Sequence, residues 1–200
     1  MRANRDAIRE VAAGLFLRGG YQATSMDEVA ARAGISKQTL YKQFGGKEQL
    51  FSEILLGNSD TAARFAGRVR ELLSEVTDLD RDLGVLAIEY LHTVIQPTVL
   101  QLRRLVIGET ERFPELARSY YDKVVAATMA ALAEGFASLT DQGLLAVDDP
   151  ARAAQQFGWL VIGEPINRAM FSADDERVVA ETVDSIAIDG VRVFLAAYRA

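Results

Sequence analysis

The stretch Ser25–Lys47, SMDEVAARAGISKQTLYKQFGGK, leaves few folds open to a chain that carries it. Ser25 and Glu28 form the S-x-x-E pattern of a capping box, in which the serine accepts from the amide of Glu28 and the glutamate reaches back to the cap. Met26, Val29, Ala30 and Ala33 then recur at i, i+3, i+4 and i+7, one apolar helical face about two turns long. Gly34 follows directly, and a glycine there lets a helix leave through a left-handed backbone conformation. Ile35 can then drop inward. Ser36 is placed to cap a second helix whose buried side needs only Leu40 and Phe44. The spacing predicts two short helices joined by a tight turn, a helix-turn-helix.

The outward residues of the second helix are Lys37, Gln38, Thr39, Tyr41, Lys42 and Gln43. All carry hydrogen-bonding groups and none is acidic, as a surface facing phosphates and base edges requires. Ala30 lets the two helices cross closely, so that the second can stand in a major groove. A generic helical hairpin with a solvated polar face is the alternative on spacing alone.

The flanks complete a small domain. Ile8, Val11, Ala12, Leu15 and Phe16 make one stripe on a first helix from about Arg5 to Arg18, which Gly19 and Gly20 stop. Tyr21 is expected to plug the joint after it, since aromatics there supply buried area. Thr24 and Ser25 open the next helix, where small hydroxyls suit a phosphate, although capping alone also explains them. After Gly45-Gly46, Lys47 opens a fourth helix. A cation on a first turn opposes the helix dipole, so a negative group such as a DNA phosphate is expected beside it. This helix is expected to run to about Leu73 and to act as a lever between the two halves of the chain.

The block from Arg5 to Leu55 resembles the DNA-binding domain of the TetR family of bacterial transcriptional regulators. The motifs that carry the resemblance are A-x-x-L-F before G-Y, T-S-x-x-x-V-A, A-G-I-S, T-L-Y-x-x-F and G-K-E-x-L-F. The resemblance implies base contacts from the second helix of the motif, with Tyr41 as its firmest member, and phosphate anchoring by Lys47. Lys37, Gln38, Thr39 and Gln43 are the other expected groove contacts, with Thr24, Ser25 and Lys42 towards phosphate.

Charge distribution agrees with that polarity. The net charge is −6, yet residues 1–50 hold eight Lys and Arg against five Asp and Glu, while residues 51–200 hold 14 against 23. A basic reading head on an acidic body leaves one end able to dock on DNA. Half the residues are hydrophobic, prolines number four, and helix-forming residues dominate, so the chain is expected to be all-α. The expected organisation is a helix-turn-helix domain over 1–50 and a larger helical effector-binding and dimerisation domain over 51–200. No cysteine is present, which excludes disulfides and zinc-thiolate sites. No secretory signal or long apolar run is evident, so a cytoplasmic protein without membrane contact is expected.

Beyond Leu79, helices are legible near 80–96, 98–112, 114–140, 150–171 and 174–198, with Pro97, Pro114 and Pro150 near three of the starts. The segments LRRLVIGETERFPELARSYYD and DQGLLAVDDPARAAQQFGWLVIGEP resemble the C-terminal domain of the AefR-like branch of the same family. That resemblance implies a repressor whose body binds a small-molecule effector. His92, Glu109 and Glu164 interrupt apolar helical lines. With Arg103, Arg104, Phe113 and Trp159 they are expected to border an effector cavity, the alternative being internal ion pairs or exposure at helix edges. No metal and no cofactor are expected. Phe157, Leu160, Val161, Val179, Val183, Ile186 and Phe194 offer more apolar surface than a terminal helix pair leaves bare and are expected to form a homodimer interface, which the resemblance implies is a four-helix one, with an intramolecular core as the alternative.

The expected function is therefore a ligand-responsive repressor released from a pseudo-palindromic operator. A module that binds DNA or protein without an effector is the rival reading. An enzyme has little to work with: one histidine, no cysteine, no G-x-S-x-G elbow and no phosphate loop.

Overall fold

Glycines and prolines punctuate this chain into short helices, and the helices follow that punctuation. The computed structural model describes residues 5–57, 59–172 and 180–200. Its helices are α1 (Arg5–Ala23), α2 (Met26–Arg32), α3 (Lys37–Phe44), α4 (Lys47–Gly57), α5 (Ser59–Ser74), α6 (Leu79–Val94), α7 (Pro97–Gly108), α8 (Pro114–Tyr120), α9 (Ala127–Asp141), α10 (Pro150–Met170) and α11 (Ala180–Tyr198). A π-helical turn, Tyr121–Ala126, joins α8 to α9. Among the described residues the only extended pairing is a bridge between Leu145 and Arg199. The chain is all-α.

Of two expectations about helix length, the course of the fourth helix to Leu73 crosses residue 58, which lies outside the described residues, and that of the first helix is corrected. α4 is described over Lys47–Gly57 and α5 over Ser59–Ser74. The first helix extends beyond Arg18 only across a break at Gly20, whose φ of 75° only glycine adopts readily. Pro97, Pro114 and Pro150 each take the first position of a helix, where the missing amide costs nothing.

The chain forms two compact units. The first comprises the residues up to Ser59 together with Gln101–Tyr121; the second comprises Asp60–Leu100 and Asp122–Ala200. The domain division expected at residue 50 falls inside α4, and a segment expected in the C-terminal domain joins the first unit. Its aromatic residue Phe113 stacks edge-on to Tyr21 at 4.7 Å and lies 5.7 Å from Phe51. Phe16 completes the cluster at 5.0 Å from Phe51.

The second unit has its core among α5, α6, α9, α10 and α11. Phe136, Phe157 and Phe194 meet there with ring centroids 4.9 to 5.3 Å apart. Gly190 allows α11 to press on α10, since a Cβ at that position would sit 2.8 Å from the Leu160 carbonyl oxygen. The stretch Pro114–Asp141 is long and apolar enough to cross a membrane by composition, but its residues Leu132, Phe136 and Leu139 are fully buried in this core.

Candidate nucleic-acid interface

The helix-turn-helix is set by its caps. Ser25 Oγ accepts from the Glu28 amide at 3.1 Å and starts α2. The reciprocal half of the expected capping box is replaced, because Glu28 pairs with Arg32 at 3.0 Å, one turn further on. Gly34 has φ 66° and releases the chain from α2, and the Ile35 amide then donates to the Ala30 carbonyl at 3.0 Å. Ser36 Oγ accepts from the Thr39 amide at 3.1 Å and starts α3. Met26, Val29 and Ala30 of α2 and Leu40 and Phe44 of α3 are buried, as the periodicity requires.

That seating turns the other side of α3 to solvent. Lys37, Gln38, Thr39, Tyr41 and Lys42 are exposed and Gln43 is half-buried. Tyr41 is a large aromatic with 42% of its surface exposed. Two of these residues are partly engaged. Lys37 Nζ pairs with Asp27 at 2.6 Å, and that hydrogen bond raises its pKa. Thr39 Oγ1 shares a hydrogen bond with Ser36 Oγ at 2.8 Å.

The phosphate-side assignments divide. Ser25 is exposed. Thr24 is only 3% exposed and its hydroxyl donates to the Gly20 carbonyl at 2.9 Å, so it braces the corner between α1 and α2 instead of facing a phosphate. Lys47 opens α4, but its ammonium turns back over the Tyr21 ring at 4.3 Å and donates to the Gln22 carbonyl at 3.3 Å. Partial burial, and then Arg112, lower its pKa, while Glu109 opposes the shift. Tyr21 is 7% exposed, the packing role expected of it.

Arg5 and Arg112 were not marked in the sequence. Arg5 donates to the Gln43 carbonyl at 2.6 Å and to Glu53 at 2.5 Å while lying over the Phe44 ring, which ties α1 to the end of α3 and to α4. Arg112 lies over Tyr21 at 4.9 Å. Contacts between residues so distant in sequence leave no periodic signal.

The effector candidates fall in both units. Arg103, Arg104, Glu109 and Phe113 belong to the first, where Phe113 packs in the aromatic cluster. His92, Trp159 and Glu164 belong to the second. The charges expected to be buried there are not: His92 Nε2 meets Asp184 at 2.6 Å with both side chains about half exposed, and Glu164 pairs with Arg168 one turn along α10 at the surface. Trp159 is 69% exposed. His92 is thus paired between α6 and α11, and Glu164 along α10. Among the described residues no cluster of metal-ligating side chains occurs.

The apolar stripe of the last two helices is likewise reassigned. Phe157, Val161, Val183 and Phe194 are almost wholly buried within the chain, and Ile186 is half-buried. Val179 lies outside the described residues. Among the described residues of that set only Leu160 is exposed, and the large apolar side chains exposed on the described parts of α10 and α11 are Trp159, Leu160, Ile188 and Val193. The inward stripe fills the core because α6 and α9 pack on it, a use that periodicity alone cannot separate from an interface.

Residues 8–54 match the bacterial regulatory proteins of the tetR family, and residues 81–200 match the C-terminal domain of AefR-like transcriptional repressors. A solved structure from Mesorhizobium loti assigned to the TetR family is 35% identical, with a TM-score of 0.91 over 100% of both chains. The flavonoid-responsive regulator FrrA is 33% identical, with a TM-score of 0.74 over 97% of this chain and 96% of its own. Among curated proteins, the transcriptional repressor KstR2 of Rhodococcus jostii is 31% identical over 52% of this chain and 53% of its own length. The transcriptional activator FasR of Mycolicibacterium smegmatis is 39% identical over 37% of this chain and 32% of its own. The chain thus spans about a third to a half of the length of these curated relatives.

Proposed function

This chain belongs to the TetR family of transcriptional regulators, and on that premise we propose that it is a homodimeric repressor released from a two-fold operator by a small molecule. The observation that supports this most directly is α3, which is capped by Ser36, seated by Leu40 and Phe44, and faces solvent with no acidic side chain. Gln38, Thr39 and Tyr41 are the proposed base and groove contacts, with Lys37, Lys42 and Gln43 at their margin. Ser25 and Lys47 are directed to the backbone. Lys47 reaches a phosphate by leaving Tyr21, an exchange of a cation–π contact for a charge-assisted hydrogen bond.

Dimerisation is proposed through the outward faces of α10 and α11, with Trp159, Leu160, Ile188 and Val193 at its centre. Four large apolar side chains exposed on two neighbouring helices are the surface a subunit contact uses. A two-fold dimer carries two reading heads and so calls for an operator with two half-sites. The effector is held by the AefR-like domain, and by binding one head separation better than another it shifts the population away from the operator. A cytoplasmic location follows from work on the chromosome.

The test is binding of the purified chain to its own upstream intergenic DNA over a salt series, beside a Tyr41→Ala, Lys47→Ala variant. Saturable, salt-sensitive binding lost in the variant supports the head assignment. Equal binding of both to every duplex contradicts it. A panel of small molecules, with flavonoids first because FrrA responds to them, then tests release. Operator affinity indifferent to the whole panel favours the effector-free module.

A further inference from the structure

Tyr21 carries two cations, and only one of them belongs to the helix-turn-helix. Lys47 Nζ lies 4.3 Å and Arg112 Cζ 4.9 Å from its ring centroid, so the two charges are separated by no more than the sum of those distances. Arg112 is held there from its backbone outward. Its amide donates to the Glu109 carbonyl at 3.1 Å, as does that of Phe113 at 2.9 Å, and the Phe113 ring is wedged against Tyr21 and Phe51. Arg112 itself is exposed. Among the described residues neither cation lies within ion-pairing distance of a carboxylate. Two like charges on one ring repel, and Arg112 accordingly lowers the proton affinity of Lys47. Negative charge brought up to the pair offsets that repulsion.

We propose that Arg112 is a second contact to the DNA backbone, its guanidinium taking a phosphate beside the one bound by Lys47. The inference rests on the reading of Lys47 as a phosphate ligand and adds a residue from outside the helix-turn-helix. A guanidinium suits this place because its planar fork stacks on an aromatic ring while presenting N–H groups to two phosphate oxygens. The reading head is thereby discontinuous in sequence, and the segment 109–113 both packs it and contributes to its affinity.

A sequence-independent contact is best read on a mixed-sequence duplex, with no operator needed. Affinity of the full chain is measured by fluorescence anisotropy over a KCl series for the wild type, Arg112→Gln, Arg112→Lys, Lys47→Gln and Arg118→Gln. Each phosphate contact contributes roughly 0.9 to the steepness of log affinity against log salt. Arg112→Gln is expected to lose roughly that much per bound head, as Lys47→Gln does. Arg112→Lys retains the slope, and so does Arg118→Gln, whose guanidinium is already paired with Glu115 at 2.7 Å. A wild-type slope in Arg112→Gln, with a reduced one in Lys47→Gln, overturns the inference and spares the reading of the head. Wild-type slopes in both, or no binding by the wild type, overturn that reading and the inference together. If Arg112→Gln loses its helical circular dichroism, the Arg112 Nε–H resonance of the wild type decides. A shift on adding duplex that salt reverses supports the contact, and an unmoved resonance refutes it.

Discussion

Replacing Phe113 by alanine should loosen the reading head although residue 113 lies far along the chain from the helix-turn-helix. Its ring is half-buried and makes two aromatic contacts, at 4.7 Å to Tyr21 and 5.7 Å to Phe51. Half-burial of a phenyl ring accounts for about 1 kcal/mol, and each ring pair adds about 0.5–1.5 kcal/mol. The sum is about 2–4 kcal/mol, within the range for trimming a phenylalanine to alanine. A single melting curve averages over both units, so native-state hydrogen exchange is the better assay. At the lower figure, the amides of α4 around Phe51 and Leu55 should exchange about 30-fold faster, since about 1.4 kcal/mol is tenfold. Amides of α9 and α10 should keep their protection. Unchanged protection in α4, or an equal loss in every helix, would refute the claim that residues 109–113 belong to the head.

Further expectations concern single positions. Gly190→Ala should lower the melting temperature by several degrees, because its Cβ meets Leu160 backbone atoms at 2.8 and 2.9 Å that cannot yield, an overpacking cost of about 1–3 kcal/mol. Asp27→Asn should tighten DNA binding at low salt by freeing Lys37 from its partner, with the gain vanishing at high salt; no gain at low salt would mean the pair opens freely. Asp82 has its pKa lowered, first by its hydrogen bond with Arg81 and then by the amides of Asp78 and Thr77. A depressed carboxylate stabilises the fold above its unfolded pKa of about 3.9, and that contribution is lost as pH falls through the folded value. Asp82→Asn should therefore melt lower than wild type at neutral pH, with the gap closing below about pH 4. Trp159, the sole tryptophan and 69% exposed, should shift its emission to the red on dilution if α10 and α11 form the dimer interface. A spectrum independent of concentration, from a species of monomeric mass, would count against that interface.

The reading head was legible in the sequence because its determinants are local. Ser25, Gly34, Ser36, Leu40 and Phe44 act within one or two turns of where they stand, and each took its expected place. What was not legible depends on distance. Glu109 and Phe113 stand in a helical pattern that suits a cavity wall as well as a wedge, and only the approach of that segment to Tyr21 decides between them. Thr24 shows the same limit at short range: a hydroxyl at a helix start serves a phosphate or a carbonyl, and the break at Gly20 supplies the carbonyl. On α10 and α11, a single apolar period described the core-facing stripe of Phe157, Val161 and Phe194. The interface candidates Trp159, Ile188 and Val193 fall between its repeats.

The central claim is that α3 reads base pairs in two symmetrically placed major grooves. It is tested most directly by selecting duplexes from a random pool on the wild-type chain and on Tyr41→Ala in parallel. The account predicts that the wild type enriches an inverted repeat with half-site centres about one helical turn or a multiple apart, and that Tyr41→Ala enriches none or a relaxed half-site. The same repeat enriched equally by both proteins, or no repeat enriched by the wild type, would contradict it.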